Sequence, residues 1–177
     1  MGQTTHIQTG KKRNMHKTIV FLVILVTLSS SKCSRDDLRI ERQNYSGATL
    51  RIDGIFYNKP QKAHFFLYRN GIIYNGGAGF NGSIKNLLEF YRTYENYKNS
   101  YFLPYSWGVF RIDIDKIYIE KWVSGDAFGR YTTTKFDGVI INDTTLLLNH
   151  PAEVIGVDTF YFHKFSPKPD SMNKFIK

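Results

Sequence analysis

Short segments of alternating apolar and polar residues dominate the chain from position 48 onward, and this alternation is the pattern of half-buried β-strands. Residues 50–57 form the first such segment, and residues 64–68 and 72–74 form the next two. Asn70-Gly71 separates the second segment from the third, and both residues tolerate the positive φ of a tight hairpin turn. The pattern therefore predicts a strand followed by a β-hairpin.

A helical period follows the third predicted strand. Ser83 is a suitable N-cap residue, and the apolar positions after it recur three, four, seven and ten residues from the first. We predict one amphipathic helix at 83–97 whose apolar stripe packs against the sheet. The glycine-rich segment 75–82 before it lacks the Lys-Ser/Thr ending of a phosphate-binding loop, so we expect a bend there. The apolar stripe consists of Ile84, Leu87, Leu88, Tyr91 and Tyr94.

Strand patterns resume after Pro104 and continue to residue 165. Asp115-Lys116 is the predicted turn between the first two of these strands, and Lys121 shares a strand face with Ile117 and Ile119. Asp137-Gly138 marks either a turn or a bulge within one long strand. The predicted strands are 107–114, 117–122, 130–136, 139–141, 144–148 and 159–165, with loops at 125–129 and 150–158.

The whole pattern predicts a mainly β (α+β) fold. We expect an antiparallel meander of about eight strands that forms a small barrel or half-barrel, with the amphipathic helix inserted after the third strand.

The N-terminal region differs from the rest of the chain and has the layout of a bacterial export signal. Residues 1–17 contain four basic and no acidic residues, and an apolar run follows over 19–26. This run is shorter than the about 20 apolar residues that a membrane span needs. We therefore expect residues 1–33 to be an export signal that is cleaved before Cys33 or near Ser31. An uncleaved membrane anchor is the alternative.

Cys33 is the only cysteine in the chain, so no internal disulfide is possible. Its position after the apolar run resembles the lipobox of bacterial lipoproteins, whose cysteine is acylated and becomes the new N-terminus. This resemblance implies that Cys33 is a lipid anchor carrying acyl chains such as palmitate. It implies a place in the cell envelope, at the outer membrane, on its periplasmic or surface face. Cleavage at 29–31 is the alternative, and it would release a soluble periplasmic or secreted protein.

The rest of the chain divides by composition into three parts. Residues 34–47 predict a polar tether, residues 48–165 a barrel-like domain, and residues 166–177 a polar tail. The chain has a net charge of +9, but five of its 24 basic residues lie in residues 1–33, and the remainder has a net charge of +4. These charges are dispersed, so we expect no nucleic-acid partner.

Few side chains after Cys33 suggest catalysis or metal binding. Three histidines, His64, His150 and His163, have no acidic neighbour at metal-ligand spacing, and there is no Gly-x-Ser-x-Gly motif. Asp113 and Asp115 are expected to be a solvated strand end. We therefore expect no catalytic residue, no metal, no cofactor and no enzymatic activity. A hydrolase would require the histidines to converge with carboxylates in one cleft.

Three sequence segments carry a resemblance to a known family. They read SWGVFRIDIDKIYIEKW from Ser106, GRYTTTKFDGVIINDTTLLL from Gly129 and DTFYFHKF from Asp158. Over about residues 105–165, their order resembles the strand succession of lipocalin-like bacterial lipoproteins. The resemblance implies a small barrel and, with it, the binding of an apolar ligand.

Our first hypothesis is a non-enzymatic envelope lipoprotein whose barrel binds a small apolar ligand or an envelope component. The alternative is a ligand-free structural or adaptor domain that contacts another envelope protein. An internal cavity of several hundred Å3 favours the first hypothesis, and a filled interior favours the second. The candidate ligand-binding residues are Phe56, Phe66, Tyr68, Phe110, Tyr118, Trp122, Tyr131 and Tyr161.

Overall fold

A computed structural model describes residues 35–124, 130–149 and 156–177. The predicted export signal with Cys33, the predicted loop at 125–129 and His150 lie outside these described residues. Among the helices in the described ranges, none combines the length and the apolar character needed to cross a bilayer.

Eight strands of the described chain pair in sequence order and close into a barrel in which every neighbouring pair is antiparallel. The first and last strands pair with Phe56 opposite Phe162, so the sheet closes on itself. This confirms the predicted fold class, with a closed barrel rather than a half-barrel, and it is consistent with a lipocalin-like barrel. The strands are β1 (Gly54–Asn58), β2 (Ala63–Leu67), β3 (Ile72–Gly77), β4 (Trp107–Asp113), β5 (Lys116–Ser124), β6 (Tyr131–Asn142), β7 (Thr145–Asn149) and β8 (Val157–Lys164).

Two helices, rather than the single helix expected from the sequence, lie between β3 and β4. Ser83 caps the first helix as predicted, because its Oγ accepts a hydrogen bond from the backbone N–H of Asn86 at 3.3 Å. The helix ends at Thr93, whose backbone is extended at φ −114° and ψ 116°; threonine is β-branched and a weak helix former. The elements are α1 (Ile84–Arg92), α2 (Tyr94–Tyr101) and a 3₁₀ turn (Pro104–Ser106).

The strand register changes two turn predictions. Asp113 and Lys116 are the last pair of the β4–β5 hairpin, so the turn consists of Ile114 and Asp115. The turn predicted at Asp115-Lys116 is therefore wrong by one residue, and Ile114 has a positive φ of 58°. Asp137-Gly138 is not a turn, because β6 continues through both residues with an unbroken register against β5.

Alternate strand residues build two apolar clusters, one inside the barrel and one outside it. On β2, Phe65 and Leu67 belong to the inner cluster, whereas Phe66 between them belongs to the outer one. The outer cluster is covered by side chains of α1, α2 and the C-terminal tail, among them Leu87, Tyr91, Tyr97 and Phe175. Both faces of β1 are therefore buried along its whole length.

One end of the barrel is closed by the segment that precedes β1. Leu50 and Ile52 are only 2% and 8% exposed and belong to the inner cluster. The backbone N–H of Arg51 donates to the carbonyl of Asp143, in the β6–β7 turn, at 2.8 Å. We call this end, which holds the β2–β3, β4–β5 and β6–β7 turns, the closed end. The opposite end is the open end.

The segments predicted to be a polar tether and a polar tail both pack on the barrel wall. Residues 35–40 lie on the outside of β5 and β6, where the Glu120 carboxylate accepts hydrogen bonds from the backbone N–H groups of Arg39 and Ile40, both at 2.6 Å. In the tail, the Nζ of Lys168 donates to two backbone carbonyls at 2.5 and 2.8 Å. Backbone and side-chain groups of both segments thus form hydrogen bonds with the barrel. The amino-acid composition of the segments gives no indication of these bonds.

Candidate ligand-binding cavity

A cavity of about 640 Å3 occupies the half of the barrel interior next to the open end. This volume lies within the range of about 300–1,000 Å3 that is typical of small-molecule sites. Six of the eight strands contribute to its walls, and it opens to solvent. The strand residues that line it are Ala63, His64, Phe65, Ile73, Asn75, Ile119, Lys121, Phe136, Leu148, Asn149, Val157, Asp158 and Phe160.

The cavity exists because large side chains fill the interior toward the closed end, while smaller ones leave space near the open end. Phe56 packs against Phe162 with ring centroids 5.6 Å apart, and both belong to the packed interior. Toward the open end, the first residue of β2 is the small Ala63, and Gly108 lies directly opposite Lys121. A Cβ at Gly108 would lie 2.4 Å from a backbone oxygen, so no side chain fits beside Lys121 on that strand.

The walls of the cavity are mainly aromatic and aliphatic. Phe65 and Phe160 are in ring contact, with centroids 4.9 Å apart. Phe136 lies opposite Ile119 across the β5–β6 pair, so the two side chains share the inner face. Such walls offer dispersion contacts and exclude water without hydrogen-bonding a ligand. The lining therefore suits an apolar ligand body.

Lys121 carries the positive charge in the described lining of the cavity. Its Nζ lies 5.4 Å from the centroid of the Phe136 ring, and burial lowers the pKa of its ammonium group to about 8. Within the described ranges, no carboxylate is close enough to its Nζ to form an ion pair. The cavity thus contains a half-buried ammonium group whose one charge-stabilising contact among the described residues is the ring of Phe136.

Besides Lys121, the polar residues in the described lining are Gln61, His64, Asn75, Asn149 and Asp158. Asn75 is on β3, beside Phe65 of β2 in the strand register. Asp158 is on β8, three strands away from Lys121, and it already has interaction partners of its own. These polar residues lie in the β1–β2 connection or in the halves of their strands nearest the open end, so the walls deeper in the cavity are apolar.

The cavity is lined by a different set of residues from the eight that the sequence suggested. Phe56 and Phe110 lie inside the barrel, in its packed part. The other six lie on the outer side of the strands: Tyr118 lines an outer hollow, Tyr161 is 54% exposed, and Phe66, Tyr68, Trp122 and Tyr131 are part of the outer cluster or pack against it.

Sequence reasoning missed the lining because aromatic residues occupy both faces of the strands. Phe65 and Phe66 are equally apolar neighbours, and nothing in the local pattern says which one points inward. One usable signal was present on β5, where Lys121 shares its face with Ile117 and Ile119. A lysine that continues an aliphatic stripe indicates a charge directed toward an interior.

The other groups considered for chemistry are dispersed. His64 borders the cavity, but it is 3% exposed and its ring packs against Tyr91 of α1, with its Nε2 2.8 Å from the tyrosine hydroxyl. His163 lies in the β1–β8 pair and contacts Tyr57, while Asp113 and Asp115 are exposed at the closed end. In the part of the chain that the structure describes, no three His, Cys, Asp or Glu side chains come together as metal ligands.

A second hollow, of about 370 Å3, lies on the outer face of β5 and β6 beneath Ile40. Lys116, Tyr118 and Asp137 line it, and its apolar surface is small. We place the ligand site in the interior cavity because it is larger and because its walls are aromatic and aliphatic.

Comparison of the chain with protein-family models, with curated proteins and with solved structures found no match. The barrel and its cavity are therefore the features from which a function can be inferred. An eight-stranded antiparallel barrel with one closed end and a cavity at the other is an architecture that is able to hold a small ligand.

Proposed function

We propose that the protein is a non-enzymatic lipoprotein of the bacterial cell envelope and that its barrel binds a small, largely apolar ligand. The observation that carries this proposal is the cavity of about 640 Å3 with aromatic and aliphatic walls. A small eight-stranded barrel can be filled completely by its own side chains. An interior that is filled at one end and hollow at the other favours ligand binding over a purely structural barrel.

The closed end gives the cavity a single direction of entry among the described elements. Leu50 and Ile52 seal the interior at that end, and the backbone of Arg51 is held to the β6–β7 turn. A ligand therefore enters and leaves at the open end. Because the walls belong to a closed hydrogen-bonded sheet, little reorganisation accompanies binding, which lowers its entropic cost.

The start of the described chain lies at the open end, which bears on the proposed lipid anchor. Arg35 pairs with Tyr131, the first residue of β6. Cys33 precedes Arg35 by two residues, which is at most about 7 Å of extended chain. Acyl chains on Cys33 would hold the open end near the bilayer surface, where an apolar ligand is most available.

A second candidate function rests on exposed aromatic side chains around α2. Tyr94, Phe102 and Tyr105 are 46%, 55% and 38% exposed, respectively. Exposed aromatic residues are enriched at protein interfaces. An adaptor role that uses this surface, with no ligand in the barrel, is therefore the alternative.

Ligand binding is tested by filling the cavity of the full-length protein. The probe is N-phenyl-1-naphthylamine, a neutral apolar dye whose fluorescence rises on burial. Leu148→Trp places a large ring in the cavity, whereas Leu147→Trp places the same ring on the outer face of the same strand. We expect the wild type and Leu147→Trp to bind the dye with similar affinity and Leu148→Trp to bind it at least about tenfold more weakly.

The dye experiment needs a check on folding and a test of the anchor. Circular dichroism of both variants should match that of the wild type. Dye binding that is absent from the wild type, or equal in a folded Leu148→Trp variant, would refute the ligand-binding proposal and favour the adaptor. Mass spectrometry of protein extracted from its native membrane should show an acylated Cys33 peptide, and an unmodified cysteine would defeat the anchor.

A further inference from the structure

The cavity combines apolar walls with one cation whose charge has no ion-pair partner in the described residues. Lys121 reaches the interior because the β5–β6 register places it opposite Thr134, one inward position beyond the Ile119–Phe136 pair. Successive inward positions of a strand lie about 6.8 Å apart. Lys121 is therefore nearer the open end, and the aromatic and aliphatic walls continue beneath it.

Two other charged residues of the barrel form hydrogen bonds with the protein's own backbone. Glu120, the next residue on the outer face of β5, is fully buried and accepts two backbone N–H groups at 2.6 Å. Lys168 is half-buried, and its Nζ donates to two backbone carbonyls at 2.5 and 2.8 Å. Each of these charged groups therefore has hydrogen-bond partners in the protein: Oε2 of Glu120 accepts both of its bonds, while Oε1 has no partner in the described residues.

Lys121 differs from these two residues. Burial costs its ammonium group solvation, which is reflected in a pKa lowered to about 8, as it is for Lys168. In the described residues, however, its Nζ makes neither a hydrogen bond nor an ion pair, and only the face of Phe136 accompanies it. This half-buried ammonium group lines a cavity and has no hydrogen-bond acceptor among the described residues. A ligand that carries such an acceptor would therefore find a partner there.

We propose that Lys121 makes the cavity selective for amphiphiles with a single anionic head group, of which a long-chain carboxylate is the simplest. The head group binds the Lys121 ammonium near the open end, and the apolar chain extends toward Phe65 and Phe160. Asn75 is placed on the cavity wall to offer its amide to the same head group. This inference rests on the proposed ligand-binding function and adds the chemical class of the ligand.

The test compares three ligands of one chain length that differ only in the head group: dodecanoate, dodecanol and dodecylammonium. Affinities for the full-length protein are measured by calorimetry at pH 7, where Lys121 is charged. A charge-assisted hydrogen bond in a poorly solvated site corresponds to about 10- to 100-fold in affinity. We expect the wild type to prefer dodecanoate over dodecanol by at least about tenfold and over dodecylammonium by more.

Lys121→Met keeps the length of the side chain and removes its charge, so we expect it to bind dodecanoate and dodecanol equally while retaining its affinity for dodecanol. Lys135→Met is the matched control, because Lys135 is an exposed lysine opposite Glu120 on the outer face. It should keep the preference of the wild type.

The outcomes separate this inference from the proposed function. If the wild type binds none of the three ligands, the proposed function fails. If it binds all three equally, or if Lys121→Met keeps the carboxylate preference, ligand binding stands and the role of Lys121 is refuted.

Discussion

Mild acidification is expected to destabilise the protein through His64. This side chain is 3% exposed, its Nε2 lies 2.8 Å from the hydroxyl of Tyr91, and its Nδ1 has no hydrogen-bond partner in the described residues. Burial lowers the pKa of His64 from 6.5 to about 4, and the nearby Lys62 backbone offsets this only partly. A charged imidazolium would therefore be an unpaired cation among Phe80, Tyr91 and the strand backbone.

The sign and size of the effect follow from the two pKa values. Between about pH 6.5 and pH 4 the unfolded chain binds a proton at His64 and the folded protein does not, so the free energy of unfolding falls as the pH falls through this window. A difference from 6.5 to about 4 corresponds to roughly 3 kcal/mol. Above about pH 6.5 this contribution is fully present, and below about pH 4 it is lost.

Urea denaturation at pH 7, 6, 5 and 4 measures the effect for the wild type and for His64→Phe. The phenylalanine side chain keeps a planar ring and removes the titrating group. It changes the absolute stability, but the comparison concerns only how the free energy of unfolding of each protein varies with pH.

The other acid-titrating groups, including His163 and Asp53, are common to both proteins, so their contributions cancel in the difference. We expect the wild type to lose roughly 3 kcal/mol more than His64→Phe between pH 7 and pH 4. Parallel pH dependences in the two proteins would refute the reasoning.

Three further substitutions test a turn, a strand register and the hydrogen bonds of Glu120. Ile114→Asn should raise the free energy of unfolding, measured by urea denaturation, by about 1 kcal/mol, because asparagine tolerates the positive φ of 58° at this exposed turn and isoleucine does not. The same change at exposed Ile141 should give no gain. Gly138→Ala should lower the free energy of unfolding by about 1–3 kcal/mol, since its Cβ would lie 2.1 Å from the carbonyl oxygen of Leu147. An unchanged midpoint of urea denaturation would contradict the β6–β7 register. Glu120→Gln should weaken two charge-assisted hydrogen bonds by about 1 kcal/mol in total, seen as roughly fivefold faster hydrogen exchange of the two backbone amides that it holds; unchanged exchange would argue against its role.

Local sequence determined most of the strands, the helix start and the β2–β3 turn. Asn70-Gly71 predicted a hairpin, and Gly71 has the positive φ of 75° that such a turn needs. Ser83 predicted a helix N-terminus and caps α1. These features depend on the backbone preferences of a few neighbouring residues, so they are readable without knowledge of the rest of the fold.

Tertiary structure alone decided which face of each strand is the interior. Phe65 and Phe66 are both buried because α1, α2 and the C-terminal tail cover the outside of the barrel. Alternation identifies a core face only when the other face is exposed to water. The four outer candidates under this cover, Phe66, Tyr68, Trp122 and Tyr131, were therefore indistinguishable from interior residues by their sequence pattern.

The site was decided in the same way. Sequence placed Lys121 on one face with Ile117 and Ile119, but it did not reveal that this face lines a cavity. That required closure of β1 on β8, the plug of Leu50 and Ile52, and the register that sets Gly108 opposite Lys121. Each is a contact between residues far apart in the chain, and the volume left between them is a property of their packing, which no local pattern encodes.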